Sequence, residues 1–175
     1  EAVAAAQFPM LLWVFGAVAA LCLLTFRSFA ATLCILLPLG LASLLAYALM
    51  AWLEIGLKVG TLPVVALGVG IGVDYGVYIY SRFAALRRPG RSLRETYEDA
   101  LAITGNGVLF TGLTLGLAVA TWVLSSLKFQ ADMGILLVFL FVMNMIGAIV
   151  LLPALAHFLV GEPKPGKDPE SKPAR

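Results

Sequence analysis

Long apolar runs separated by short charged segments dominate the pattern of this chain. The runs cover residues 8–26, 29–53, 60–81, 100–127 and 133–160. Each is long enough to cross the roughly 30 Å hydrocarbon core of a membrane as a helix that rises about 1.5 Å per residue. Polar and apolar residues do not alternate with period two, as they do in lipid-facing barrel strands. The pattern predicts an all-α integral membrane protein with a bundle of five transmembrane helices.

The composition supports this prediction and excludes several classes of protein. Hydrophobic residues make up 61% of the chain and charged residues 13%. Soluble domains carry about 25% charged residues, so this chain has too few charges to cover a surface in water. The net charge of +2 is also too small, and the basic residues are too confined to loops, to predict a nucleic-acid partner. Soluble enzymes and nucleic-acid-binding proteins are therefore excluded.

Lys and Arg are distributed unevenly between the two predicted sides of the membrane. Ten of the 12 fall on one side, and only Lys58 and Lys128 fall on the other. Because cytoplasmic segments collect basic residues, we expect a cytoplasmic C-terminus and an N-terminus outside. Residues 1–7 are interpreted as an extracytoplasmic lead that follows a missing upstream domain. The Pro-rich residues 161–175 are interpreted as a disordered cytoplasmic tail.

A helix-start signal lies between the third and fourth apolar runs. Pro89 and Gly90 are typical of a turn, and Ser92 with Glu95 three residues later matches a capping box. We therefore expect a short amphipathic helix that begins at Ser92, lies along the cytoplasmic membrane surface and continues into the fourth span.

Asp74 is the only Asp, Glu, Lys or Arg within the five apolar runs. It precedes Arg82 by eight residues, which corresponds to about 12 Å along a helix. A charge at this depth is costly, and hydrocarbon favours the neutral acid over the carboxylate. Asp74 is thus suited to bind and release a proton or another cation. An aspartate that only hydrogen-bonds to a neighbouring helix is the structural alternative.

Glycines surround Asp74 on the same predicted helix. Gly68, Gly72 and Gly76 recur every fourth residue and, with Gly70, predict a helix-packing seam that lets another backbone approach closely. Asp74 is two residues, or about 200° around the helix, from both Gly72 and Gly76. We therefore expect the seam and the carboxylate to face different neighbours.

Several polar side chains are candidate partners of the carboxylate. Tyr75 adjoins Asp74, and its hydroxyl can donate to a carboxylate or relay a proton. The other candidates are Tyr78, Asn106, Thr111, Thr114 and Asn144. Hydrogen bonding between helices, without a role in transport, is the alternative interpretation of these residues.

Enzymatic and cofactor chemistry find no support in the sequence. The predicted spans contain no His-Glu-x-x-His motif and no Ser/His pair, so we expect neither an enzyme nor a metal site. The glycines do not fit a dinucleotide-binding loop, because Val73 or Tyr75 occupies the position of its third glycine. We accordingly expect no cofactor.

The residues around Asp74 resemble a known family of exporters. The segment Gly70–Tyr75, with the sequence GIGVDY, resembles the Gly/Asp-Tyr motif of the MmpL-type branch of the resistance–nodulation–division (RND) exporters. Phe110–Thr114 resembles the start of the helix after that motif, and Leu151–Leu155 resembles the closing helix. The five-helix pattern is also similar to a sterol-sensing-type membrane domain, which shares the RND architecture.

This resemblance implies a function and a set of partners. It implies the membrane part of a proton-driven exporter of lipids or other hydrophobic molecules in the bacterial inner membrane, with Asp74 and Tyr75 in the proton relay. The chain would correspond to the last five helices of the C-terminal half. Its partners would be protons, membrane lipids, and the missing other half and porter domains, with a homo-oligomer as a further option. A non-transporting sterol-sensing, lipid-sensing or scaffold domain is the alternative.

Overall fold

The structure is a computed structural model that describes residues 2–56, 61–88 and 92–160. Three sequence predictions fall outside these residues. They are the disordered tail at 161–175, the turn at Pro89 and Gly90, and the start of the third span at residue 60.

Six α-helices make up most of the described chain. They are α1 (Ala2–Phe26), α2 (Phe29–Trp52), α3 (Leu62–Leu86), α4 (Leu93–Ala120), α5 (Lys128–Ile146) and α6 (Leu152–Val160). A 3₁₀ turn at Thr121–Leu124 extends α4, and a π-helical segment at Gly147–Leu151 joins α5 to α6. Five of the resulting helical segments are long and apolar enough to cross a membrane. The predicted all-α fold with five spanning helices is confirmed.

The spanning helices alternate in direction, which gathers most arginines at one end of the bundle. There α1, α3 and α6 end, and α2 and α4 begin. We call it the arginine-rich end, because it carries Arg27, Arg82, Arg87, Arg88 and Arg94.

The predicted amphipathic surface helix is the first part of α4 and not a separate element. The Ser92 hydroxyl accepts the Glu95 backbone N–H at 3.2 Å, as expected for the predicted capping box. The helix then continues without a break to Ala120. Leu93 and Tyr97 are buried because this segment turns its apolar face toward the bundle. Helix α4 therefore packs against its neighbours from its first turn.

The glycine seam of α3 packs on α5 and α2. A Cβ atom at Gly72 would collide with the side-chain amide of Asn144, and one at Gly68 would lie 2.6 Å from a methyl carbon of Leu140. A Cβ at Gly76 would lie 3.0 Å from Ile35 of α2. These three glycines are therefore places where a neighbouring side chain fills the room that a Cβ would take.

Gly70 does not belong to this seam. No neighbouring atom lies within 4 Å of the position that its Cβ would take. The predicted packing role thus applies to three of the four glycines, because Gly70 lies on the opposite side of the helix.

We expect Gly72→Ala to destabilise the protein by about 1–3 kcal/mol, because its methyl group displaces Asn144 from a filled contact. Gly70→Ala is the matched control and should be neutral or slightly stabilising, since alanine is the better helix former. The midpoint of thermal unfolding in detergent measures both effects. Equal midpoints for the two variants would contradict the asymmetry of the seam.

Candidate functional site

Asp74 is the central residue of α3, with twelve residues on either side within the helix. At a helical rise of about 1.5 Å this places it about 18 Å from each end. Its side chain is exposed, although its neighbours Tyr75 and Gly76 are buried. The seam glycines hold the opposite face of α3 against α5 and α2, so the carboxylate faces away from both helices. The predicted separation of seam and carboxylate agrees with this geometry.

Asp74 faces an open groove between α3 and α4 with a volume of about 460 Å³. The α3 wall is formed by Asp74, Tyr75, Val77, Tyr78 and Ser81, and the α4 wall by Gly107, Val108 and Thr111. Four residues singled out in the sequence, the aspartate, two tyrosines and a threonine, are therefore brought together in one groove.

Tyr75 lines the groove, and its hydroxyl oxygen is enclosed by the surrounding protein. It is buried and has no hydrogen-bond partner within the described ranges of the chain. Burying a hydroxyl without a hydrogen-bond partner destabilises a fold by about 1–3 kcal/mol. A group that forms a hydrogen bond with this hydroxyl would remove that penalty. Tyr75 adjoins the residue that carries the carboxylate and can donate or accept a proton.

Two other hydroxyl groups in the groove are already engaged with their own helices. Thr111 donates to the Gly107 carbonyl at 2.8 Å, and Ser81 donates to the Tyr78 carbonyl at 2.9 Å. Each hydroxyl already donates its only hydrogen and can act toward the groove only as a hydrogen-bond acceptor. Thr111 and Ser81 are thus arranged to accept hydrogen bonds from water or from a protonated acid.

A second, smaller groove reaches Asp74 from the other side. It lies between α1 and α3, has a volume of about 190 Å³, and is lined by Val18, Leu21, Cys22 and Thr25 of α1. Its α3 wall is Val73, Asp74 and Val77. Asp74 therefore lies between the two grooves and lines both of them.

The remaining candidate partners do not lie in either groove. Asn144 is buried on the opposite side of α3, where its amide donates to the Gly68 carbonyl at 3.0 Å. Asn106 and Thr114 are exposed on α4 and line neither groove. Asn144 stabilises the contact between α3 and α5 instead of facing Asp74.

Sequence reasoning missed two polar residues. Ser81 lines the groove, and its spacing of three from Tyr78 is the signal that places both on one helix face. Asp132 is buried in the second turn of α5, inside the membrane-length segment Lys128–Leu159. The predicted fifth run, 133–160, leaves Asp132 just outside the span, because charged residues mark the ends of the runs.

Residues 2–56, 61–88 and 92–160 contain no group of three or more His, Cys, Asp or Glu side chains that could hold a metal ion. Cys22 and Cys34 are buried free thiols.

Comparison with known proteins decides the family. The model of the MMPL family matches residues 5–172, which is nearly the whole chain. The chain belongs to the MMPL family. With five membrane-length helices, this MMPL chain is a multi-span membrane protein.

Curated relatives occur in archaea and bacteria. "Putative membrane protein MJ1562" of Methanocaldococcus jannaschii is 31% identical over 69% of this chain and 31% of its own length. "Putative membrane protein SCO6666" of Streptomyces coelicolor is 34% identical over 58% of this chain and 14% of its own. "Membrane protein YdfJ" of Bacillus subtilis is 26% identical over 51% of this chain and 12% of its own. The MMPL chain therefore matches less than a third of the length of each relative.

The exposure of Asp74 predicts its chemical reactivity. A membrane-soluble carbodiimide, which couples to protonated carboxyl groups, should modify Asp74 faster than the buried Asp132. Peptide mass spectrometry after a short exposure measures both sites, and Asp74→Asn is the control that must lose its adduct. Equal rates at the two aspartates would contradict the open groove.

Proposed function

We propose that this chain is the transmembrane part of a proton-motive-force-driven exporter of lipids or other hydrophobic molecules. One observation carries the proposal. A carboxylate at the middle of a spanning helix faces a groove that Tyr75 also lines, and the Tyr75 hydroxyl is buried and has no hydrogen-bond partner among the described residues. Ionisable groups at such depth are costly and are retained for ion or proton pathways. Membership of the MMPL family agrees with a transport role.

In the proposed mechanism, Asp74 alternates between the neutral acid and the carboxylate. Tyr75 exchanges a proton with it, while Thr111 and Ser81 accept hydrogen bonds from the water or acid between them. The two grooves give the carboxylate separate approaches from the α1 side and from the α4 side. Each proton that crosses the membrane potential releases about 2.3 kcal/mol per 100 mV.

The change in charge would drive movement of α3 against its loosely packed neighbours. A carboxylate attracts water and hydrogen-bond donors into the groove, whereas the neutral acid lets α3 and α4 close together. Porter domains outside the membrane would convert this movement into export of the substrate. We place the protein in the bacterial inner membrane with a cytoplasmic C-terminus, because basic residues concentrate at the arginine-rich end.

Asp74→Asn tests the proton relay, because the amide keeps the shape of the side chain and cannot carry the proton. Substrate-coupled proton movement by the complete exporter in proteoliposomes should fall at least about a hundredfold, as expected when a positioned acid–base group is lost. Asp74→Glu should retain part of the coupled movement, since the group still titrates. Unchanged coupling in Asp74→Asn at equal insertion would contradict the relay and favour the lipid-sensing or scaffold alternative.

Tyr75→Phe tests the second member of the relay. We expect coupled proton movement to fall about tenfold or more while thermal stability holds or rises slightly, because the lost hydroxyl has no hydrogen-bond partner in the part of the chain that the structure describes. Tyr47→Phe is the matched control, since Tyr47 also has a buried hydroxyl but lies outside the groove. Equal effects of the two substitutions on proton movement would exclude a specific role for Tyr75.

A further inference from the structure

A cavity of about 470 Å³ lies at the arginine-rich end, between the start of α4 and α6. Its walls include the apolar side chains of Phe83, Leu93, Pro153, Ala154, Ala156 and Phe158. This volume is within the roughly 300–1,000 Å³ of small-molecule sites. The cavity is separate from the Asp74 groove, because the two share no lining residue.

The cavity is held open by the local architecture. Tyr97 lines it, and the hydroxyl of Tyr97 reaches the Ala148 and Ile149 carbonyls at 3.2 and 3.3 Å. Both carbonyls belong to the π-helical segment that joins α5 to α6. Tyr97 therefore fastens the start of α4 to this segment, and α6 continues from it at the far wall. Such π-helical segments are frequent at functional sites.

Charged groups occupy the rim of this apolar cavity. Arg94 and Glu98 both line it, and the Arg94 Nε–H donates to Glu98 at 2.8 Å. The Arg94 side chain is 88% exposed. A guanidinium has five N–H donors, so the terminal nitrogens stay available for a second anionic group. His157 is a further titratable group that lines the cavity.

We infer that this cavity binds an anionic phospholipid, with an acyl chain between α4 and α6 and the phosphate on Arg94. The apolar walls suit a hydrocarbon chain, and the guanidinium matches the geometry of a phosphate. The cavity lies at the arginine-rich end of the membrane-length helices, where an anionic headgroup would meet the Arg94 guanidinium at the rim. Glu98 opposes the phosphate and weakens the binding.

The test uses a photoreactive lipid and the full chain in phosphatidylcholine nanodiscs. Phosphatidylglycerol with a diazirine on its acyl chain is compared with phosphatidylcholine that carries the same chain. Crosslinked peptides from α4 and α6 are quantified by mass spectrometry. We expect several-fold more labelling of the cavity residues by phosphatidylglycerol. Equal labelling by the two lipids would overturn the inference.

Charge variants test whether labelling changes in the direction that binding of an anionic headgroup predicts. Arg94→Gln should lower phosphatidylglycerol labelling of the cavity about fivefold, and Glu98→Gln should raise it by a similar factor. Arg82→Gln is the matched control, because Arg82 lies at the same end of the bundle but does not line the cavity. The inference fails if the labelling responds to Arg82→Gln as strongly as to Arg94→Gln, or if Glu98→Gln lowers it.

A filled cavity and a shortened chain complete the test. Ala154→Trp should abolish labelling of the cavity by both lipids, because the indole occupies the space of the acyl chain. A chain that ends at Val160 should be labelled like the full chain. Labelling that appears only in the shortened chain would assign the cavity to residues 161–175 and overturn the lipid site. None of these measurements depends on proton transport, so the proposed function and the lipid site can fail separately.

Discussion

The close contact between α3 and α5 determines which way Asp74 faces. Gly72 lacks the side chain that would collide with Asn144, and the Asn144 amide donates to the Gly68 carbonyl at 3.0 Å. Water cannot replace such a bond within hydrocarbon, where a hydrogen bond between helices contributes about 0.6–2 kcal/mol. Contact and hydrogen bond together fix the rotation of α3 about its axis. A residue about 200° away from Gly72 must then face away from α5.

The two faces of α3 differ in how tightly they are packed. On the seam side, neighbouring side chains occupy the positions that Cβ atoms of Gly68 and Gly72 would take. On the Asp74 side, grooves of about 460 and 190 Å³ separate α3 from α4 and from α1. In the proposed mechanism, a gain or loss of charge at Asp74 would act on the two interfaces that the grooves open, while the α3–α5 pair stays together. This asymmetry gives the proposed relay a rigid side and a movable side.

The sequence predicts the parts of this arrangement that depend on a single helix. The five spans follow from run length, and the opposed directions of Gly72 and Asp74 follow from helical periodicity, so both could be stated before the structure. The hydrogen-bond partner of Asn144 could not be predicted, because it depends on the register between α3 and α5. The two bonded residues, Asn144 and Gly68, are 76 positions apart in the chain. The inclusion of Asp132 in α5 was missed because a charge near a span end is compatible with either loop or helix.

The role of Tyr97 also depends on a contact between helices, which the periodicity of a single helix does not reveal. Its position in the first turns of α4 is typical of an interfacial aromatic. Its two acceptors exist in that place because the chain adopts a π-helical segment at Gly147–Leu151. The π-helical segment thus supplies the hydrogen-bond acceptors for Tyr97 at the point where α5 continues into α6.

Helix α4 links the two sites that we propose. It supplies Thr111 to the Asp74 groove and Tyr97 to the cavity at the arginine-rich end, and it runs between them without interruption. These residues are 14 positions apart, or about 21 Å along the helix. A movement of α4 toward α3 would then also change the cavity, and a lipid held in the cavity would bias that movement. If the bound lipid changes the proton affinity of Asp74 by some factor, thermodynamic linkage requires that protonation of Asp74 change the lipid affinity by that factor.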